Sequence, residues 1–264
     1  MPSPADVPIS ALRSGSDDLA LHVRALTPDQ LTGPSGASEW TVAQVLSHLG
    51  SGAEVGQAGL EASLRSAGAP PADFNRRVWA RWDAMSPEDQ AAGFLTANES
   101  FVAYYEAIDD ATRSTASVDM RRLPEPVDLA THASFRLNEL TLHSWDVRVA
   151  ADQQATLAPE AVEPLLGVLP YLMSWLGKPS PALSGGNLVV GVHTSAPDTD
   201  FGLAITDTVT LIDPPTEPDA TLVMPTESWL RLASGRLGAA VTPAGATVTG
   251  PLDLDTLRAV FPGF

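Results

Sequence analysis

Residues 1–178 carry apolar side chains at helical spacing, interrupted by Gly and Pro. Side chains three or four positions apart share one face of a helix, and breakers divide the stretch into separate helices. The most complete start signal is Thr41-Val-Ala-Gln44, a capping box that opens a helix running to about Leu60. The predicted helices cover Ile9–Leu26, Thr41–Leu60, Phe74–Ala84, Pro87–Ile108, Asp128–Leu157 and Pro159–Gly177, with a loop over Asp29–Glu39 and a connector over Asp109–Val127.

Beyond Lys178 the helical spacing gives way to short β-type runs separated by turn residues. Pro179-Ser-Pro181 and Gly185-Gly186 are typical of a linker between domains. The predicted strands are Leu188–Val192, Leu203–Ile205, Val209–Ile212, Thr221–Met224 and Ala246–Thr249, with short helices over Glu227–Leu237 and Asp253–Val260. A helical region followed by a mostly antiparallel α+β unit predicts two domains, 1–178 and 179–264.

Composition narrows the class of protein. The 264 residues are 44% hydrophobic and carry a formal net charge of −17. Such an acidic balance argues against non-specific binding to nucleic acid or to an anionic membrane, since both require a basic patch. The sequence shows no secretory signal and no run of about 20 apolar residues that could span a membrane. We therefore expect a cytoplasmic protein, a monomer or a homodimer, whose partners are small molecules.

The chain contains no cysteine. Disulfides, a cysteine nucleophile, thiolate metal ligands and iron–sulfur clusters are therefore excluded. Any metal ion must be held by His, Asp or Glu, and any thiol that takes part in a reaction must come from solution.

The predicted helix around Glu139 carries a stripe of polar, mostly ionisable side chains. Successive residues on a helix are rotated by about 100°. With Glu139 at zero, the other members lie within about 60° of it: His132, Arg136, His143 and Asp146. This polar stripe borders the apolar stripe of Phe135, Leu142 and Val149, whereas Arg148 lies on the far side. The polar stripe is therefore adjacent to the apolar face of the helix rather than opposite to it.

Within this stripe Glu139 and His143 are one turn apart, so their side chains project in the same direction. Two ligands of one metal ion must do so. The same spacing also occurs on soluble helices as a partly exposed, hydrogen-bonded pair without a metal. A third ligand from another helix is needed to favour the metal site.

His48, on the helix that starts at Thr41, is the candidate for that third ligand. Alone, it is more readily interpreted as a histidine of the core or its boundary. Its neighbours Gly50, Gly52 and Gly56 are costly in a helix, by about 1 kcal/mol each relative to Ala. Either they make room for another backbone or a ligand, or the helix is poorly formed. Two His and one carboxylate with an open position form the ligand set of a catalytic zinc site.

Two motifs resemble those of the mycothiol-dependent maleylpyruvate isomerase family. The first is Glu39-Trp40-Thr41-Val42 followed by Val45-Leu46-Ser47-His48-Leu49, and the second is Arg136-x-x-Glu139-x-x-x-His143-x-Trp145-Asp146. The resemblance covers roughly residues 10–178 and implies an up-and-down four-helix bundle of the DinB-like metal-binding kind. The tail resembles the small α+β domain of that family, which is related to sterol-carrier-protein modules.

The resemblance also implies which residues act. His48, Glu139 and His143 match the three zinc ligands of the family. Arg236, in Leu232-Ala-Ser-Gly-Arg236, matches an arginine of the second domain that assists catalysis, with Arg231 as a competitor. For both arginines the alternative is a solvated residue at a helix end, where a cation is favourable. His132 matches no ligand of the family.

The implied activity uses Zn²⁺ and a low-molecular-weight thiol such as mycothiol on a small anionic substrate. A coordinated thiol loses its proton, and the thiolate is the nucleophile. In an isomerase it adds to a conjugated double bond, allows rotation and is expelled; an S-transferase would use the same activation without expulsion. The alternatives are a non-catalytic small-ligand-binding protein of the same fold and a hydrolase that activates metal-bound water. We expect the pocket to lie between the two domains, with Arg236 at its edge.

Overall fold

The computed structural model describes residues 3–65, 68–121, 123–178, 183 and 186–263. The chain divides into two compact units, Met1–Pro164 and Leu165–Phe264. The boundary between these units falls inside a helix, and the predicted domain boundary at residue 178 stays a prediction. Most of the predicted linker, residues 179–182, 184 and 185, lies outside the described residues.

The first unit is built on four long helices. They are α1 (Asp6–Arg24), α3 (Val42–Leu64), α5 (Pro87–Glu106) and α7 (Leu129–Val149). Helices α1 and α3 each pack against both α5 and α7, so that the four surround one core. The core side chains are fully buried and come from all four helices, among them Leu12, Leu19, Leu46, Leu49, Phe94, Phe101 and Leu140. The structure thus confirms the predicted helical bundle.

Shorter elements complete the first unit. They are α2 (Pro28–Thr32), α4 (Phe74–Asp83), α6 (Asp110–Thr115) and the antiparallel strands β1 (Ser117–Val118) and β2 (Val127–Asp128). Helix α8 (Pro159–Leu176) follows α7. None of the helices among the described residues is long and apolar enough to cross a membrane.

Two predicted irregular segments contain helices. The predicted loop over Asp29–Glu39 is wrong in its first part, because Thr27 and Gln30 form a second capping box with Pro28 at the first helical position. The predicted connector over Asp109–Val127 contains α6, whose N-terminus is capped by Asp109 accepting a hydrogen bond from the Thr112 amide at 2.8 Å. Both helices are too short for apolar periodicity to reveal them.

The second unit contains a five-stranded sheet with the strand order β5-β4-β3-β6-β7. Its strands are β3 (Leu188–Ser195), β4 (Thr199–Ile205), β5 (Val209–Ile212), β6 (Ala220–Pro225) and β7 (Thr247–Thr249). Only the β3–β6 pair is parallel, which agrees with the predicted mostly antiparallel unit. Alternate residues are buried on β3 and β6, including Val190, Val192, Leu222 and Met224. The likeness to sterol-carrier-protein modules stays a prediction.

Two helices of the second unit follow strands as predicted. Helix α9 (Thr226–Ala233) packs on β3 and β6, and α10 (Leu254–Val260) closes the chain. Trp229 of α9 is fully buried between the rings of Phe201 and Phe261, at centroid distances of 5.2 and 5.6 Å. The two predicted regions, a helical bundle and an α+β unit, are therefore both present.

Candidate metal centre

The polar stripe predicted on α7 is present, and it continues from a cavity to a cluster of ionisable groups. Asp128 caps the helix by accepting a hydrogen bond from the Thr131 amide at 2.7 Å. His132, Arg136 and Glu139 line one cavity of the first unit, and Glu139 leads one turn later to His143. Because apolar residues beside the stripe bury α7 in the bundle, these polar groups are held at fixed positions.

His48 of α3 meets this stripe at Glu139. Its Nε2 atom lies 3.1 Å from Oε2 of Glu139, and Nε2 of His143 lies 3.8 Å from the same oxygen. One ligand atom from each residue lies within 4.8 Å of those of the other two. Two ligands about 2.05 Å from a tetrahedral zinc ion are about 3.4 Å apart. The two distances to the shared carboxylate oxygen bracket that value, so the three side chains converge as the ligands of one ion would.

Helix α3 presents His48 because its start is fixed. Thr41 Oγ1 accepts a hydrogen bond from the Gln44 amide at 3.2 Å, and Gln44 Oε1 accepts one from the Thr41 amide at 2.8 Å. This confirms the predicted capping box, and the helix is continuous from Val42 to Leu64. The interpretation of α3 as a poorly formed helix is therefore wrong.

The glycines of α3 make room, as the other interpretation required. A Cβ atom on Gly50 would lie 2.1 Å from the Trp82 ring, and one on Gly56 would lie 2.8 Å from the Phe101 ring. Gly52 and Gly56 also line the cavity beside His48. Gly50 and Gly56 therefore allow aromatic rings to pack closely against α3, and Gly52 and Gly56 leave space in the cavity.

His143 is oriented by a buried carboxylate. Its Nδ1 atom lies 2.8 Å from Oδ2 of Asp146, whose side chain is fully buried. If Nδ1–H donates this hydrogen bond, Nε2 is left with a lone pair towards Glu139. Histidines that bind metals almost always direct their other nitrogen to a carboxylate, a carbonyl or water in this way.

A tight loop covers Asp146. The Gly36 amide donates a hydrogen bond to the Asp146 carbonyl at 2.7 Å. A Cβ atom on Gly36 would come within 2.6 Å of Val149 and 3.1 Å of the Asp146 carboxylate. Only glycine allows this approach, so residue 36 seals the carboxylate that orients His143.

The same loop places an indole beside both histidines. The centroid of the Trp40 ring lies 5.2 Å from that of His48 and 6.2 Å from that of His143. The loop ends on Glu39, whose φ of 67° is in the left-handed region that non-glycine residues rarely adopt. Sequence reasoning missed this contact, although Trp40 immediately precedes the capping box that positions His48.

The cavity beside the cluster has a volume of about 940 Å³, and all of its lining residues in the described part of the chain belong to the first unit. His48 and Glu139 of the cluster line it, and so do His132 and Arg136. Phe101, Phe135 and Trp79 supply apolar surface. The cavity therefore combines polar groups that converge from α3 and α7 with apolar walls, as binding sites for small molecules do.

The two arginines considered from the sequence lie in the second unit. Arg231 is 3% exposed and its guanidinium donates to both carboxylate oxygens of Glu227 at 2.8 Å. Arg236 is half-buried, and its Nη1 donates to the carbonyl of Ser234 at 3.1 Å. Arg231 is thus engaged in an internal ion pair, while the predicted role of Arg236 stays a prediction.

Fold and site together define a four-helix bundle with a candidate metal centre, followed by an α+β unit. The sequence model of the family described as mycothiol maleylpyruvate isomerase N-terminal domain matches residues 12–148. The chain belongs to this family of enzymes, which is named for a mycothiol-dependent isomerase, as the two motifs predicted.

Two uncharacterized proteins from two strains of Mycobacterium tuberculosis are similar in sequence. Each is 30% identical over 159 residues, which is 60% of this chain and 75% of the relative. Among solved structures, a mycothiol-dependent maleylpyruvate isomerase matches with a TM-score of 0.64 and a mutant of it with 0.65. Both alignments cover 94% of this chain and 95% of the other at 12% identity, so they show a shared fold.

Proposed function

We propose that His48, Glu139 and His143 hold one divalent cation, zinc, in an enzyme that uses a low-molecular-weight thiol such as mycothiol. The reaction class is isomerisation or S-transfer on a small anionic substrate. The observation that carries the proposal is the convergence of these three side chains, with His143 oriented by the fully buried Asp146. The family to which the chain belongs supports the thiol.

The donor set suits the proposed chemistry. Two neutral imidazoles and one carboxylate leave a zinc ion with net positive charge and an open position. A bound cation of this kind would act as a Lewis acid that lowers the pKa of a coordinated thiol. The chain contains no cysteine that could compete for the ion or form a disulfide with the thiol.

The surrounding residues divide the remaining tasks. Asp146 holds the proton of His143 on Nδ1, so that Nε2 stays available as a ligand. Trp40 lies beside the two imidazoles and supplies apolar surface next to them. The cavity beside His48 and Glu139 offers apolar walls for the organic part of a reactant. Arg236 contributes a cation for the anionic substrate in this proposal.

Metal analysis of the purified protein followed by titration with candidate thiols tests the function. About one zinc ion per chain, and turnover of an electrophile that requires both zinc and the thiol, are expected. Stoichiometric metal without thiol-dependent turnover would instead indicate a binding protein. Metal-dependent turnover that ignores the thiol would indicate a hydrolase.

A further inference from the structure

Arg136 is a buried cation without a carboxylate partner among the described residues. The residue is 7% exposed, and its Nη2 donates to the Leu49 carbonyl at 3.2 Å and to Asn98 Oδ1 at 2.7 Å. Its Nε is buried with no hydrogen-bond partner in the described part of the chain. Both acceptors of Nη2 are neutral. The protein therefore orients this guanidinium but does not neutralise it.

Such an arrangement is costly unless something else compensates the charge. Burial lowers the pKa of Arg136, and the attraction of Glu139 only partly opposes that effect. A buried charge normally requires an ionic partner or full hydrogen bonding. Glu139 lies one turn away and is directed at His48 and His143, where a bound cation would neutralise its charge. The wall of the cavity is then left with an uncompensated positive group.

The guanidinium can be reached from the cavity. Arg136 and Gly52 both line it, and a Cβ atom on Gly52 would lie 3.7 Å from Nη1 of Arg136. Because residue 52 is glycine, it places no side chain in front of that nitrogen. An anion of the size of a carboxylate could therefore approach Nη1 through the space that the missing side chain leaves.

His132 lines the same wall one turn before Arg136. Its Nδ1 lies 2.7 Å from the hydroxyl of Tyr105, which is fully buried. Burial raises the pKa of the Tyr105 phenol, so the hydroxyl stays protonated. A polar side chain that is anchored to the bundle core therefore lines the cavity near Arg136.

We propose that Arg136 binds a carboxylate of the ligand that occupies this cavity. The inference rests on the proposed function and names its substrate class: small molecules with an acidic group some distance from the atom that meets the metal centre. Arg136 precedes Glu139 by three residues, about 4.5 Å along the helix. Ligands whose acidic group and metal-binding atom are several bonds apart fit this spacing.

Binding of a dicarboxylate and of its neutral ester to metal-loaded protein tests the proposal. Calorimetric titration compares succinate with dimethyl succinate for the wild type and for Arg136→Gln. Loss of a charge-assisted contact in Arg136→Gln should weaken succinate binding about 10- to 100-fold. Binding of the uncharged dimethyl succinate should be the same for the wild type and for the variant. Arg148→Gln is the matched control, because Arg148 lies on the same helix, pairs with Asp18 and does not line the cavity.

The control should bind succinate within about twofold of the wild type. The proposal is wrong if folded, metal-loaded Arg136→Gln binds succinate as the wild type does. It is equally wrong if Arg148→Gln loses as much affinity as Arg136→Gln, because the effect would then be one of net charge.

A second pair of variants keeps the test independent of the buried arginine. Gly52→Leu would place a side chain over Nη1 without removing the charge, whereas Gly52→Ala would add only a Cβ at ordinary contact distance. The leucine variant should lose succinate binding and the alanine variant should largely keep it. Unchanged binding in folded Gly52→Leu would overturn the proposal even where Arg136→Gln does not fold.

The two proposals fail separately. Metal content and thiol-dependent turnover are measured on the same preparations as succinate binding. Arg136-dependent binding in a protein without thiol-dependent turnover would refute the proposed function and leave the carboxylate site standing. Full thiol-dependent activity with no effect of Arg136→Gln on binding would refute the carboxylate site alone.

Discussion

Each unit of the protein buries an arginine, and the two arginines are treated differently. In the second unit, Arg231 is 3% exposed and its guanidinium lies against the carboxylate of Glu227, one turn earlier on the same helix. In the first unit, Arg136 is 7% exposed and meets a carbonyl, an amide oxygen and the ring of Phe101. The second unit satisfies its buried charge internally, whereas the first leaves one open to a cavity.

The same contrast holds for the histidines. His193 and Asp200 face each other across β3 and β4 at 2.7 Å on the surface of the second unit. His48 and His143 share Glu139 beside a cavity, with a buried carboxylate behind one of them. A polar pair in isolation is a contact of the surface; polar groups that converge on one point and are supported from behind form a site. The difference predicts which substitutions affect function and which affect stability.

The largest effect should follow from His48→Ala. Removal of one of three ligands should abolish stoichiometric zinc binding and bring thiol-dependent turnover to background. Stability should change little, by about 0.5 kcal/mol or less, because the side chain is 40% exposed. His193→Ala is the matched control, since it removes another exposed histidine paired with a carboxylate. Metal analysis and turnover of both variants check the contrast, and full zinc content in His48→Ala would refute the metal site.

In the second unit, Glu227→Ala should strongly reduce the stability of the fold. It leaves Arg231 buried without its carboxylate, which typically costs about 3–5 kcal/mol. Urea denaturation should show the loss, while the folded protein should keep its zinc. The double variant Glu227→Leu/Arg231→Met should recover much of the stability, because apolar replacement of a buried ion pair is often neutral. A stable Glu227→Ala variant that had lost its zinc would contradict this division of roles.

Asp146→Asn tests the support behind the site. The neutral amide is a weaker acceptor for the Nδ1 proton of His143 and no longer fixes its tautomer. Loss of such an outer partner typically weakens metal affinity by about 10- to 100-fold. Competition with a chelator measures this affinity. Asp200→Asn makes the same change behind His193 and should have no effect; equal affinities of both variants would show that Asp146 does not support the metal ligand.

A smaller effect is expected from Arg236→Ala. If this arginine contributes a cation for the anionic substrate, the variant should keep its zinc while turnover falls by about tenfold. Steady-state kinetics on an anionic substrate and metal analysis of the same sample check both halves. Full activity of the variant would exclude the role and leave Arg136 as the proposed anion-binding residue.

The smallest predicted effect concerns the packing of α3, the helix that carries His48. A methyl group added at Gly59 of α3 would have no neighbour within 4 Å among the described residues, so Gly59→Ala should raise stability by up to about 1 kcal/mol through helix propensity. Gly50→Ala on the same helix should instead destabilise the protein, because the new methyl would collide with the Trp82 ring. Thermal denaturation compares the two. Equal shifts would mean that Trp82 can move away from α3 at no cost.

The sequence predicts those features of the site that depend on helical spacing and on helix capping. Helical spacing places Glu139 and His143 on one face, and the capping box at Thr41 fixes the helix that carries His48. The reasons for the glycines of α3 lie in Trp82 and Phe101, which are distant in sequence. Spacing likewise places Arg136 on the polar stripe, but its lack of a carboxylate partner depends on which side chains approach from other helices. Short helices α2 and α6 stay hidden because one or two turns show no period.

The indole of Trp40 gives the candidate metal centre an intrinsic optical signal. Tryptophan emission responds to charge close to the ring, and the imidazoles of His48 and His143 lie beside it. Binding of a cation, or protonation of either imidazole, would change the field at the indole and therefore its fluorescence. Subtraction of the spectrum of Trp40→Phe removes the contribution of the other five tryptophans. Loading of the site can then be followed in real time, without a label and without a substrate.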